Sequence, residues 1–198
     1  MLSCSARQSE TPSSSIACPH IAGDGDGGQH PTQALLDLYT IHRERPLNGL
    51  SVALIGELDK GRTARSLAYL LAKFERVKMF FVSPAETRMK SDILAYLEEH
   101  GVQYEQESDL NRVVSEVDVI YQTRIRPERL RDRASLRDYT IDSSVVRRMK
   151  PDALILHPLP STVELDKSVD NARALYFRQA KNGLYVRMAL LTMLMDKE

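Results

Sequence analysis

The sequence predicts an α/β fold: one domain built on a doubly wound, mainly parallel sheet of about five strands flanked by helices, Rossmann-like in its winding. Two observations carry this. Five short, largely apolar runs (Leu50 to Ile55, Lys78 to Val82, Val102 to Glu105, Val117 to Tyr121 and Ala153 to Leu156) read as strands, several with the near-continuous apolar character of strands buried on both faces. Segments with helical apolar spacing separate them, the alternation that makes parallel sheets through crossover connections. With 198 residues, 42% of them hydrophobic, the chain is long enough for one proper core.

Taken in order, residues 1–20 read as a disordered or processed tail, rich in Ser and poor in large apolar groups, and residues 21–198 as the domain. Both cysteines, Cys4 and Cys18, fall in that tail without metal-type spacing, so a reducing, cytoplasmic setting is expected. The Ser-rich, acid-poor start leaves an organellar transit segment open but has no hydrophobic block for secretion. Asp24 to Gly28 is a turn or flexible loop. Pro31 suits the first turn of a helix, whose stripe is Leu35, Leu36, Leu38, Tyr39 and Ile41.

Pro46 to Gly49 is a turn into the first strand. A helix follows from about Thr63, with Leu67, Leu70, Leu71 and Phe74 inward, and Ser83-Pro84 stops the second strand. Ile93, Leu94 and Leu97 mark a helix stopped by Gly101. Arg126 to Tyr139 is charged and reads as solvated surface. Asp142 or Ser143 caps a helix through Val145, Val146 and Met149. A long apolar helix from Ala174 to about Met195, carrying Leu184, Val186, Met188, Leu190, Leu191 and Leu194, closes the chain, with a break expected near Asn182-Gly183.

Lys plus Arg and Asp plus Glu each number 27, and a net charge of zero argues against nucleic acid or an anionic membrane as partner. No apolar run approaches the ~20 residues that span a bilayer. The turn Gly56 to Gly61 has the wrong spacing for a dinucleotide fingerprint, and no P-loop, paired-cysteine metal site or GxSxG elbow occurs. No cofactor and no metal are predicted.

Ligands of open α/β sheets bind outside the carboxyl ends of strands. Arg124 sits at such an end, Arg62 follows another, and a guanidinium pairs bidentately with a carboxylate as no lysine does. Two such arginines suggest a site for a small ligand with more than one carboxylate. A surface ion pair is an arginine's ordinary fate, and on the residues alone both readings stand. His30 and Gln33 open the first helix, where developing negative charge is favoured and an imidazole can donate to an oxyanion. A plain polar helix start is the competing reading. The run His157-Pro158-Leu159-Pro160 stiffens the backbone after the last strand, with Leu159-Pro160 a candidate cis bond and the Leu159 carbonyl able to receive a substrate nitrogen. A simple strand-ending turn is the alternative.

These same residues resemble the carbamoyltransferases, most closely the aspartate-binding half of the aspartate branch. The motifs are His30-Pro31-Thr32-Gln33 continuing to Tyr39, Gly61-Arg62-Thr63, Thr123-Arg124-Ile125, His157-Pro158-Leu159-Pro160, and Tyr176 to Gly183 with Arg187, in matching order over about residues 21–195. The ornithine relatives typically carry Cys in place of Thr32 and a His-Cys-Leu-Pro run, and neither is here. The resemblance implies transfer of a carbamoyl group from carbamoyl phosphate to the amine of L-aspartate, a step of pyrimidine biosynthesis. His30 would polarise the carbamoyl oxygen as the catalytic residue. Gln33, Arg62, Thr63, Arg124, Arg126, Leu159 and Pro160 would bind substrate.

Three departures shape the expectation. About thirty residues precede the His30 helix, where the family has a domain with a Ser-Thr-Arg-Thr phosphate loop. Ser161-Thr162-Val163-Glu164 stands where Arg-Val-Asp-Glu is usual, and Arg126 where Gln is usual. The expected partners are therefore L-aspartate or a similar dicarboxylate, with carbamoyl phosphate only when an N-terminal domain is supplied. A homotrimer or assembly with a full-length homologue is expected from the family. The alternative is a non-catalytic pseudoenzyme that binds a dicarboxylate or assembles with such a homologue.

Overall fold

A computed structural model of the chain describes residues 28–130, 133–169 and 173–195. The tail expected over residues 1–20, with Cys4 and Cys18, lies outside them, as does most of the Asp24 to Gly28 loop. Five parallel strands form one sheet: β1 (Ser51–Ile55), β2 (Lys78–Val82), β3 (Gln103–Glu107), β4 (Val119–Gln122) and β5 (Leu154–Leu156), in the order β3-β2-β1-β4-β5. The chain winds outward from β1 to β3, then crosses back to place β4 on the other side of β1. That reversal is a topological switch point, where the loops leaving the two neighbouring strands diverge.

The helices are α1 (Pro31–Glu44), α2 (Arg62–Leu71), α3 (Ser91–Glu99), α4 (Ser143–Arg148) and α5 (Tyr176–Met195). Pro31 sits at the start of α1, and the Asp142 carboxylate caps α4 by accepting from the Ser144 and Val145 amides. Alternation along each strand splits the core in two. Val52, Leu54, Met79, Phe81 and Tyr121 point toward α1, α2 and α3, and Ala53, Ile55, Phe80, Val82 and Ile120 toward the α4 side. The edge strand β3 reads Gln-Tyr-Glu-Gln-Glu and is largely uncovered, a polar rim that discourages further pairing.

α5 departs from expectation twice. It runs unbroken through Asn182-Gly183, and its buried face is Tyr176, Gln179, Asn182 and Gly183 rather than the apolar set. Leu184, Met188 and Leu191 are more than half exposed, at 59, 55 and 51%. Asn182 donates to the Thr40 hydroxyl of α1 at 2.9 Å. Gly183 is needed for the approach: a Cβ there would lie 3.1 Å from Leu36 Cδ2 and 2.6 Å from an Arg187 guanidinium nitrogen. No helix among the described residues is long and apolar enough to cross a membrane.

Candidate functional site

The loops leaving β1 and β4 touch. Gly56, at φ +127°, allows it: a Cβ would fall 2.3 Å from Thr123 Oγ1 and 2.8 Å from its carbonyl oxygen. Thr123 in turn donates both its backbone N–H and its hydroxyl to the Ile55 carbonyl, each at 2.8 Å. Just beyond, the Glu57 carboxylate, 5% exposed, ties the loops together. It accepts from the Arg126 backbone N–H at 2.5 Å, from Arg126 Nε at 3.1 Å and Nη2 at 2.9 Å, and from Arg129 Nη1 at 2.6 Å. Arg129 reaches on to Asp59, Nη2 to Oδ2, at 2.6 Å. Burial pushes the Glu57 carboxyl up, but the two guanidinium groups outweigh it and hold the pKa below the ordinary value. Arg126 and Arg129 are thus clamps between loops, where the sequence suggested solvated charge.

α1 begins at His30, whose backbone N–H donates to Ser66 Oγ at 2.7 Å, while the Ser66 hydroxyl donates to Gln29 Oε1. Burial, followed by the charges of Arg62 and Arg187, lowers the His30 pKa, with only a backbone hydrogen bond opposing. The imidazole is therefore biased toward its neutral form, which keeps one N–H to donate. Arg62 is the first residue of α2, following Gly61 at the cap position.

One turn beyond Gln33 on α1, Asp37 is fully buried. Its Oδ1 accepts from Gln33 Nε2 at 2.8 Å and from Gln179 Nε2 at 2.6 Å, and its Oδ2 from the Tyr121 hydroxyl at 2.5 Å. Burial raises its pKa to about 6 despite the bonds from Tyr121, Gln179 and Gln33. Gln179 Oε1 accepts the His157 backbone N–H at 2.9 Å. His157 Nδ1 accepts the Leu159 N–H at 2.9 Å, which assigns the proton to Nε2, donating to the buried Glu164 at 3.0 Å. Burial would raise Glu164, but the His157 and Thr162 bonds hold it down at about 2. This frame fixes the loop in which Leu159 has φ +49° and the Leu159-Pro160 bond is cis.

Two adjoining cavities, of about 180 and 290 Å³, share His157, Pro158 and Leu159 as a common wall. Gln33 and Arg187 line the first. Lys60, Thr63, Arg124, Arg126 and Pro160 line the second. So most of the residues expected from sequence do converge, on the two sides of one loop. Arg62 and His30 line neither cavity; Arg62 stands near enough for its charge to act on His30. Sequence reasoning missed Asp37, Glu57 and Gln179 and did not place Arg187 or Lys60 in the site. Asp37 carried a signal, a carboxylate four residues after Gln33 within an otherwise apolar stripe. The arrangement offers guanidinium groups for carboxylates, hydrogen-bond acceptors for an amide, and a neutral imidazole beside two cations. Among the described residues no cluster of His, Cys, Asp and Glu is placed to hold a metal ion.

Residues 48–194 match the family model described as aspartate/ornithine carbamoyltransferase, Asp/Orn binding domain. A chloroplastic aspartate carbamoyltransferase 1 of Pisum sativum is 53% identical over 181 residues, which are 88% of this chain and 47% of that protein. An aspartate carbamoyltransferase catalytic subunit of Methanothrix thermoacetophila is 46% identical over 180 residues, covering 88% of this chain and 59% of that one. Among solved structures, aspartate transcarbamoylase of Trypanosoma cruzi in complex with carbamoyl aspartate and phosphate superposes with a TM-score of 0.80 at 40% identity, over 85% of this chain and 56% of the other. The catalytic subunit of M. jannaschii aspartate transcarbamoylase gives 0.82 at 40% identity, over 89 and 58%. The chain spans about half the length of the curated relatives it matches.

Proposed function

Because the chain belongs to the aspartate/ornithine carbamoyltransferase family, through its Asp/Orn-binding domain, we propose that it is the aspartate-binding half of an aspartate carbamoyltransferase. In the transfer, the amine nitrogen of L-aspartate forms a bond to the carbamoyl carbon, the bond from that carbon to the phosphate oxygen breaks, phosphate leaves, and the amine gives up a proton. The observation that carries this reading is the common wall His157 to Leu159. It separates a cavity with an amide reader, Gln33, from one with a guanidinium at a strand end, Arg124, and a transfer between two substrates needs such neighbouring subsites.

Arg124, with Thr63 and Pro160 around it and Arg62 nearby, holds the aspartate carboxylates. Gln33 and the Leu159 carbonyl receive the carbamoyl nitrogen. His30, neutral beside Arg62 and Arg187, donates to the carbamoyl oxygen as charge builds there. Arg126 contributes as a clamp on Glu57 and lines the same cavity. We place the phosphate-binding role in the part of the relatives that this chain does not match, so the 198-residue chain alone is expected to bind aspartate without turning over carbamoyl phosphate. The chain is expected to form a homotrimer or to assemble with a full-length homologue, and of these only the homologue brings that part. The chloroplastic names of the Pisum sativum and Arabidopsis thaliana relatives favour an organellar transit role for residues 1–20 over the cytoplasmic setting.

Calorimetric titration with succinate tests the site. Wild type is expected to bind, and Arg124→Ala to bind roughly thirtyfold more weakly, the loss of one charged bidentate pair of about 2 kcal/mol. Absence of binding in wild type, or equal binding in the variant, overturns the dicarboxylate assignment. Carbamoyl-aspartate formation by the purified chain alone would overturn the assignment of the phosphate role.

A further inference from the structure

The buried carboxylate of Asp37 touches three elements that carry the site, and none of the roles above uses it. It receives Gln33 from its own helix, Gln179 from α5 and the Tyr121 hydroxyl from β4, the strand that leads into Arg124. Gln179 passes the connection on, accepting the backbone N–H of His157 at the head of the loop that presents Leu159. The chemistry of the partners fixes a direction. The Oδ1 of a carboxylate that takes two side-chain amides can only accept, so both Gln33 and Gln179 must turn their NH₂ groups toward it. Gln179 then has its oxygen left for His157, and it is used there. Gln33 has its oxygen left for the cavity it lines.

We propose that Asp37 is a positioning residue that locks the Gln33 amide with Oε1 facing the cavity, so that the cavity presents hydrogen-bond acceptors and selects a ligand group bearing N–H. Leu159 lines the same cavity, and with its carbonyl assigned to the same nitrogen the cavity offers two acceptors, the complement of an NH₂ and a mismatch for a methyl of the same size. The selection survives protonation of Asp37. A proton on Oδ2 is shared with the Tyr121 hydroxyl, and Oδ1 keeps both amides. This inference rests on the assignment of Gln33 and Leu159 to the carbamoyl nitrogen.

The test compares N-carbamoyl-L-aspartate with N-acetyl-L-aspartate, which differ by NH₂ against CH₃, in calorimetric titration of the full chain. Wild type is expected to prefer the carbamoyl ligand by roughly tenfold or more, since the acetyl ligand leaves two acceptors unpaired. Asp37→Ala, which releases both amides, is expected to narrow the preference to about twofold. Its succinate affinity is expected to fall by no more than about threefold, because a merely structural loss would weaken all ligands together. Asp37→Asn can keep its oxygen toward the amides and turn its nitrogen to the Tyr121 hydroxyl, and is expected to restore the preference.

A preference unchanged in Asp37→Ala overturns the positioning role. Equal binding of the two ligands by wild type overturns the acceptor assignment while leaving the dicarboxylate site standing. Failure of wild type to bind either ligand or succinate instead overturns the function proposed above. Side-chain amide exchange in wild type reads the same lock without any variant. One Nε2 proton of Gln33 and one of Gln179 are expected to exchange at least about tenfold more slowly than those of exposed Gln103. Equal exchange refutes the lock even if Asp37→Ala does not fold.

Discussion

A double-mutant cycle on Glu57 and Arg126 separates two things the rim of the site combines, holding its loops together and holding its ligand. Glu57→Gln replaces an acceptor-only group with one whose NH₂ faces guanidinium nitrogens. The carboxylate is 6% exposed at its side chain, against 41% for Arg126 and 24% for Arg129. Breaking a fully buried pair costs about 3–5 kcal/mol, but this one is open on the arginine side and Arg129 keeps Asp59, so the loss should be about 2 kcal/mol. At a urea dependence of roughly 2 kcal/mol per molar, the unfolding midpoint falls by about 1 M. Arg126→Gln should cost about 1 kcal/mol, and the double variant little more than Glu57→Gln alone, a coupling of about 1 kcal/mol.

Succinate affinity is the second readout. Arg126→Gln is expected to change it by less than about threefold, because the guanidinium is already claimed by Glu57. A coupling below about 0.3 kcal/mol would refute the Glu57–Arg126 clamp and leave the loops held by Arg129 and Thr123. A loss of affinity above about tenfold would make Arg126 itself a carboxylate ligand.

Three further outcomes follow from single contacts. The Glu164 carboxyl, moved from 4.5 to about 2, contributes stability that is present above pH 4.5 and lost as the pH falls toward 2. Acid unfolding should therefore show a component of about 3 kcal/mol over that interval, absent in Glu164→Gln. Gly183→Val would set a branched side chain whose Cβ already meets Leu36 and Arg187, and should destabilise the chain by about 2–3 kcal/mol in thermal melts, with succinate binding weakened only in proportion to unfolding. Met188→Lys, on the uncovered face of α5, should change the melting free energy of the purified chain by less than about 0.5 kcal/mol.

Four of the strands were legible because each is a short, largely apolar run of the kind buried on both faces, while the polar edge strand β3 was marked only by its place after the Gly101 helix stop. Helix starts were legible where a local device makes them, Pro31 for α1 and Asp142 for α4. What escaped was set by partners far away in sequence. Gln179 and Asn182 face inward on α5 because Asp37 and Thr40, each 142 residues from its partner, receive them, so the polar face became the buried one. Glu57 and Arg126 are 69 residues apart, and nothing local marks a surface-type charge as an interior clamp. The site followed the same division: Arg124 and Leu159 announced themselves at strand ends, while Asp37 behind Gln33 needed the fold to reveal its three donors.

The neighbourhood of β1 and β4 has one more implication. Adjacent parallel strands stand about 4.8 Å apart whatever side chains they bear, so the gap between the two rim loops is a fixed dimension of the backbone ladder. Side chains at 57, 59, 126 and 129 set how firmly the two loops are tied, while the spacing of the strands they leave belongs to the backbone. Lengthening either loop by one residue is the change that would carry Arg124 off that gauge.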